Sequence, residues 1–365
     1  MSLRVLFISR ATLWKDRGGD TVQVSNTAKQ LQALGLEVDI RLCNEVIDYS
    51  SYHLIHFFNI IRPADILLHI SRSGLPYVIS PIFVDYSEYE KKARGGKLGM
   101  LAKIFPSDWL EYAKVVARAL LNGEKIISRS YLWMGQRRSV RKIIRNAALL
   151  LPNSHSEYRR LEARYGLAHA YAVVPNAIDS SLFIPDPSIP REHDLVICAG
   201  RIEGRKNQLN LIKALSNTKY RLVIIGSPGP NQQAYDAACR AAAGANVSFV
   251  SNIPQDELLR WYQRAKVHVL PSWFETTGLS TLEAAVMGCN IVITDKGDTR
   301  EYFMNYAWYC DPMSSETIFA AVDQAATAPF NEGLKTRIST AFTWEQTARA
   351  TLDAYRQVPG IQSKL

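Results

Sequence analysis

No Cys-x-x-Cys pair, no Asp-x-Asp triplet and no Gly-x-Gly-x-x-Gly run occurs in these 365 residues. Each absence removes a class of protein. The five cysteines (Cys43, Cys198, Cys239, Cys289, Cys310) are far apart and mostly sit in or beside apolar runs. They read as reduced core thiols of a cytosolic protein, not as a zinc site or a disulfide framework. No apolar run approaches the roughly 20 residues of a membrane-spanning helix. The chain opens with Arg4 and then Val-Leu-Phe-Ile, which leaves no room for a signal peptide. Without the glycine fingerprint, or an acidic residue suitably placed after the second strand, a dinucleotide-type NAD site is excluded. His53 and His56 are spaced for a helix but lie in an extended-looking segment, so no metal is expected there.

What is present is an ordinary globular composition, 47% hydrophobic and 21% charged, long enough for two domains. The first half alternates strand and helix patterns. Val5–Ile8 reads as a buried strand, Thr21–Leu34 as a helix closed by Gly35, and Val38–Leu42 as the next strand. That βαβ order implies a parallel sheet. The loop after the first strand holds Gly18 and Gly19, either a plain turn or a place where a diphosphate docks at a helix start. His53–Phe58 and Tyr77–Ser80 read as further strands. Leu149–Leu151 reads as a strand end running into a helix cap at Pro152-Asn153-Ser154. Residues 180–193, rich in Pro, Asp and Ser, read as the linker to a second domain.

The second half carries the stronger signals. Leu195–Ala199 is a buried strand that runs into Gly200-Arg201 and Glu203-Gly204-Arg205-Lys206-Asn207, cations at a strand-to-helix turn. Val267–Leu270, closed by Pro271 and Ser272, reads as a buried parallel strand. Phe274–Gly288 follows it, with Glu275, Thr276, Thr277 and Gly278 at the strand's carboxyl end and a helix from Leu279. Open α/β sheets bind ligands at that place, and the helix start attracts phosphate. Glu275 and Glu283 bracket the turn. Either alone reads equally well as a dipole-stabilising carboxylate. Together they suit a ligand with sugar hydroxyls on both sides of a diphosphate.

The order Glu, Gly-Leu, Glu-Ala opening a helix, then Gly and an apolar strand, resembles the donor-binding motif of retaining GT-B glycosyltransferases. More narrowly it resembles the large family that includes sucrose synthase, glycogen synthase and bacterial polysaccharide-building enzymes. The resemblance implies two Rossmann-like parallel-sheet domains facing a cleft: an acceptor-side domain, 1–180, and a donor domain, 190–343. It implies that the closing helix, from 344 to 365, packs back on the first domain, although a simple capping helix fits the sequence equally. By position, Glu275 would bind the donor hexose and Glu283 the ribose. Arg201 and Lys206 would hold the diphosphate, with Thr277, Gly278 and Leu279 giving backbone contacts. Gly18 and Gly19 would face the phosphates, and the base would meet Asn252 and Ile253. Many members carry an aromatic residue where this chain has Thr277. Where members often carry a histidine, after the strand ending near Pro81, this chain has Ile82, which leaves Asp85 or Tyr86 for acceptor contact.

These expectations amount to a metal-independent, retaining hexosyltransferase. It would use a UDP-, GDP- or ADP-sugar, no cofactor, and a saccharide or lipid-linked acceptor, in cell-envelope polysaccharide assembly. An idle nucleotide-sugar-binding protein (the reading Ile82 favours) and a nucleotide-sugar epimerase of the same fold are the alternatives. Residues 91–145 contain 14 Lys or Arg and three acids, a local excess larger than the whole chain's +9. Trp109–Leu121 reads as an amphipathic helix there, and Arg-Arg-Ser-Val-Arg-Lys-Ile-Ile-Arg lies on another. The stretch reads as a solvated basic face or as a docking surface for anionic lipid, on the inner face of a cell membrane. Nucleic acid is not expected, because no recognised RNA or DNA module surrounds it.

Overall fold

The computed structural model describes residues 3–93, 108, 112–113, 115, 128–251 and 253–364. Two parallel sheets, each the core of one unit, account for the fold. In the first unit, β1 (Arg4–Ser9), β2 (Glu37–Leu42), β3 (Leu54–Phe58), β4 (Tyr77–Ser80) and β5 (Leu149–Leu150) lie in the order β2-β1-β3-β4-β5. The near-continuous burial of β1, β3 and β4 is what a parallel sheet covered on both faces requires. Helix Trp344–Arg356 packs on helix Gly19–Ala33 in this unit. The expected strands and helices of this half that fall on described residues appear with ends shifted by a residue or two.

The carboxyl ends of the first sheet are knitted by buried polar groups. Glu157, fully buried, accepts the Phe83 N–H and the Asn153 N–H, both at 2.6 Å. Gln23 Nε2 donates to Asn153 Oδ1 at 3.0 Å. Between these contacts Ile82 adopts φ +48°, a conformation that a β-branched residue rarely takes. His56 is a core residue, bonded to the Tyr355 hydroxyl at 2.7 Å and the Ser80 hydroxyl at 2.9 Å. His53 Nδ1 accepts the Arg4 N–H at 3.0 Å.

The second unit contains β6 (Glu192–Ala199), β7 (Arg221–Ile225), β8 (Val247–Val250), β9 (Ala265–Leu270), β10 (Asn290–Thr294) and β11 (Trp308–Cys310), in the order β11-β10-β9-β6-β7-β8. This is the doubly wound order, in which connections diverge on either side of β6 and β9. The carboxyl ends of those two central strands are the place where sheets of this order generally bind ligands. β6 begins at Glu192, three residues earlier than its apolar run, because Arg221 and Arg264 hold that carboxylate. Residues 84–93 also belong to this unit, although in sequence they follow β4. All five cysteines are buried and unpaired, and burial pushes thiols such as Cys198 up to about 12. Most of the Trp109–Leu121 stretch, and the Asn252 position, lie outside the described residues.

Replacing Glu157 by Leu leaves two buried N–H groups without their acceptor. The expected cost is about 3 kcal/mol, read as a lower denaturant midpoint; a change under about 0.5 kcal/mol would show that the carboxylate does not hold these strand ends.

Candidate donor site

Two turns leave the central strands side by side in the second unit. After β6 comes a short 3-10 turn, Gly204–Lys206; after β9 comes the segment from Pro271 to Gly278, leading into helix Leu279–Val286. The Trp273 N–H donates to the Arg205 carbonyl at 2.9 Å, which fastens one turn to the other. Asn207 adds a second tie, donating from Nδ2 to the Pro271 carbonyl at 3.0 Å and to the Pro312 carbonyl at 2.8 Å.

Across this junction Lys206 Nζ donates to Glu275 Oε2 at 2.7 Å, and the Ser272 hydroxyl donates to the same oxygen at 3.0 Å. Both partners are largely covered, with side-chain exposures of 23% and 9%. Burial pulls the Lys206 ammonium down, but Glu275 and neighbouring groups more than offset it, so its pKa is raised. By its geometry the contact is a salt bridge. Among the described residues Glu275 Oε1 accepts no hydrogen bond, and Lys206 keeps N–H groups to spare.

The Glu275 backbone is equally constrained. Its N–H donates to the Lys296 carbonyl at 3.1 Å, and its carbonyl accepts the Asp298 N–H at 3.0 Å. Between them passes Gly297 at φ +102°, where a Cβ would lie 2.0 Å from the Glu275 oxygen. Only glycine fits there. Gly278, at φ +70°, caps the helix without a side chain of its own, at the end where an α-helix leaves its first N–H groups without intrahelical partners. Arg201, at the exit of β6, is exposed, and its guanidinium has no partner among the described residues.

Glu283 sits one turn into the helix and accepts the Tyr262 hydroxyl at 2.9 Å. Burial pushes its carboxyl up to about 7, against the lowering effect of that bond. Beneath the turn, His268 on β9 is fully buried, and neither ring nitrogen has a partner among the described residues.

The structure thus brings Lys206, Glu275, Thr277 and Gly278 together, with Arg201 on the neighbouring turn and Glu283 behind. Thr277 is buried, Leu279 is half-buried, and Ile253 is half-exposed after β8. Gly18 and Gly19 lie in the first unit, where the Gly18 N–H donates to Thr21 Oγ1 at 3.1 Å. Asp85 is exposed, whereas Tyr86 packs within the second unit beside Arg205 and Phe274. Ser272, Tyr262, Lys296 and Gly297 carry no functional signal in the sequence; Ser272 is marked there only as the close of the Val267–Leu270 strand. Among the described residues no group of three or more His, Cys, Asp or Glu is placed to hold a metal. No described helix is long and apolar enough to cross a membrane.

The raised Glu283 group has a pH signature. Its folded value near 7 exceeds the ordinary 4.5, so the stability it contributes is complete below 4.5 and lost as pH rises through 7. Relative to Glu283→Gln, the wild-type chain is expected to lose about 2 kcal/mol of stability between pH 5 and pH 8. Parallel stability profiles for the two proteins would contradict this assignment.

Residues 180–341 match the family model described as "Glycosyl transferases group 1". A D-inositol 3-phosphate glycosyltransferase of Corynebacterium aurimucosum is 26% identical over 330 residues, covering 77% of this chain and 76% of that protein. Sucrose-phosphate synthase from Thermosynechococcus elongatus superposes with a TM-score of 0.74 at 17% identity, over 97% of this chain and 98% of the other. Anabaena Alr3699/HepE in complex with UDP and glucose gives 0.67 at 15% identity, over 96% and 99%. Residues 180–341 are a glycosyl transferases group 1 domain, within a chain of the two-sheet GT-B fold.

Proposed function

We propose that this chain transfers a hexosyl group from a nucleotide-diphosphate sugar to a saccharide or lipid-linked saccharide, with retention of anomeric configuration. The observation that carries the reading is the Lys206–Glu275 pair at the carboxyl ends of β6 and β9, with Glu275 Oε1 left to accept a sugar hydroxyl. Lys206, Arg201 and the helix start at Gly278 would stabilise the charge that develops on the leaving diphosphate. These cations supply what a divalent metal would supply in other designs. Glu283 would accept from the ribose hydroxyls in its ionised form. On the retaining route, the donor's own phosphate oxygen takes the acceptor hydroxyl proton as the glycosidic bond to phosphate breaks on the same face. The new bond then forms on that face. A relative named for glycosyl transfer and a fold neighbour holding UDP and glucose support this donor class.

The same proposal assigns the basic helix Arg129–Asn146 to an anionic lipid surface, where envelope acceptors would be met. Its inner face (Tyr131, Val140, Ile143, Ile144) is buried, and Trp133 is 89% exposed beside a kink at Gly135. Beyond the kink Arg138, Arg141, Lys142 and Arg145 line one open depression. Cations flanking an exposed tryptophan match the physics of interfacial docking.

Glu275→Ala should lower transfer from UDP-, GDP- or ADP-sugars by more than about 100-fold while a native circular-dichroism spectrum shows the fold retained at a reduced stability, and chelator should leave wild-type turnover unchanged. Near-normal turnover in the variant would remove the role given to Glu275; isomerisation of free donor without acceptor would favour an epimerase. Co-sedimentation with phosphatidylglycerol vesicles tests the surface. Arg138→Glu with Arg141→Glu should weaken binding about ten-fold, and vesicle binding that ignores both charge reversals would contradict it.

A further inference from the structure

Residues 84–93 follow β4 in sequence, yet they pack with the donor unit. Their short helix, Ser87–Lys92, begins at Tyr86. The Tyr86 ring lies under the Arg205 guanidinium, 4.6 Å from it, and meets the Phe274 ring edge-on at 6.1 Å. Arg205 is the sequence neighbour of Lys206, and Phe274 is the neighbour of Glu275. One aromatic side chain thus touches the residue beside each member of the ion pair. Tyr89 repeats the pattern a turn later. Its ring contacts Trp273 at 6.2 Å, and its hydroxyl end rests on the bare Cα of Gly204, where a Cβ would come within 2.2 Å. Glu88 reaches the third turn, with Oε2 3.4 Å from Lys296 Nζ, and the Lys296 carbonyl holds the Glu275 N–H.

We propose that residues 86–92 form a clasp over the donor turns, in which Tyr86 is a positioning residue that fixes Lys206 and Glu275 by holding Arg205 and Phe274. The inference deepens the donor reading and rests on it for its consequence, though not for its geometry. A cation held against an aromatic face has few rotamers left, and its backbone inherits that restriction. Without the clasp, the two turns keep the Trp273–Arg205 backbone bond but lose the side chains that cover the Lys206–Glu275 contact. Lys206 would then sample solvent, and Glu275 would present its free oxygen less often in one place.

The test compares Tyr86→Ala with Tyr86→Phe in the full chain, since the phenylalanine keeps the aromatic face. Amine labelling followed by mass spectrometry reads the accessibility of Lys206, with exposed Lys213 as internal standard. Labelling of Lys206 should quicken about five-fold in Tyr86→Ala and stay within about two-fold of wild type in Tyr86→Phe. UDP-glucose affinity by calorimetry should fall about ten-fold in the first variant only. Should Tyr86→Ala fail to fold, Tyr86→Leu keeps the bulk, removes the π face and carries the same comparison. Lys206 labelling that is equal in wild type and in the variant without the ring overturns the clasp. A wild-type chain that binds none of UDP-, GDP- or ADP-glucose overturns the donor reading instead, while the labelling still decides the clasp.

Discussion

An ammonium and a carboxylate 2.7 Å apart, supplied by residues 69 positions distant in sequence, hold the donor turns together. Both groups are largely withdrawn from water, so the contact is worth more than a surface ion pair, and breaking it would leave one charge stranded. The surrounding structure spends many backbone bonds on keeping it in place. Ser272 shares the Glu275 oxygen, the Lys296–Asp298 turn brackets the Glu275 backbone, and Gly297 permits an approach that any other residue would block. A preorganised site of this kind loses little freedom when an anionic ligand with hydroxyl groups arrives.

The two glutamates of the motif do different work because their surroundings differ. Glu275 has a cation and a hydroxyl on one oxygen, so its charge is already compensated. Among the described residues Glu283 accepts only the Tyr262 hydroxyl, and burial raises its carboxyl to about 7. Near neutrality it therefore stands close to its own titration, and hydroxyl donors from a ribose would favour the ionised form. One carboxylate is poised by an ion pair and the other by desolvation.

Much of this was legible in the sequence because the signals are local. The apolar runs of β6, β9 and β10, the glycine at 278 and the spacing from Glu275 to Glu283 report strand, turn and helix directly. The cationic turn at Arg201–Lys206 was legible as a charge cluster, but not the division of labour within it. Pairing Lys206 with Glu275 depends on the strand order that sets β6 beside β9, and no periodicity encodes strand order. The same reason hid the partners of Tyr86, which the sequence offers only as an acceptor contact. Its segment follows β4 in sequence, whereas its ring, Glu88 and Tyr89 find their partners on three turns of the second unit, to which the segment itself belongs. Ile82 was legible only as a departure from a resemblance; its left-handed backbone conformation had no signal at all.

A crystal of the chain soaked with UDP-glucose, or with the GDP or ADP analogue if that binds, tests the central claim most directly. The diphosphate should lie against Arg201, Lys206 and the Gly278 helix start, with a hexose hydroxyl on Glu275 and the ribose on Glu283. Ordered nucleotide-sugar density elsewhere on the molecule, with the Lys206–Glu275 turns unoccupied, would contradict the account.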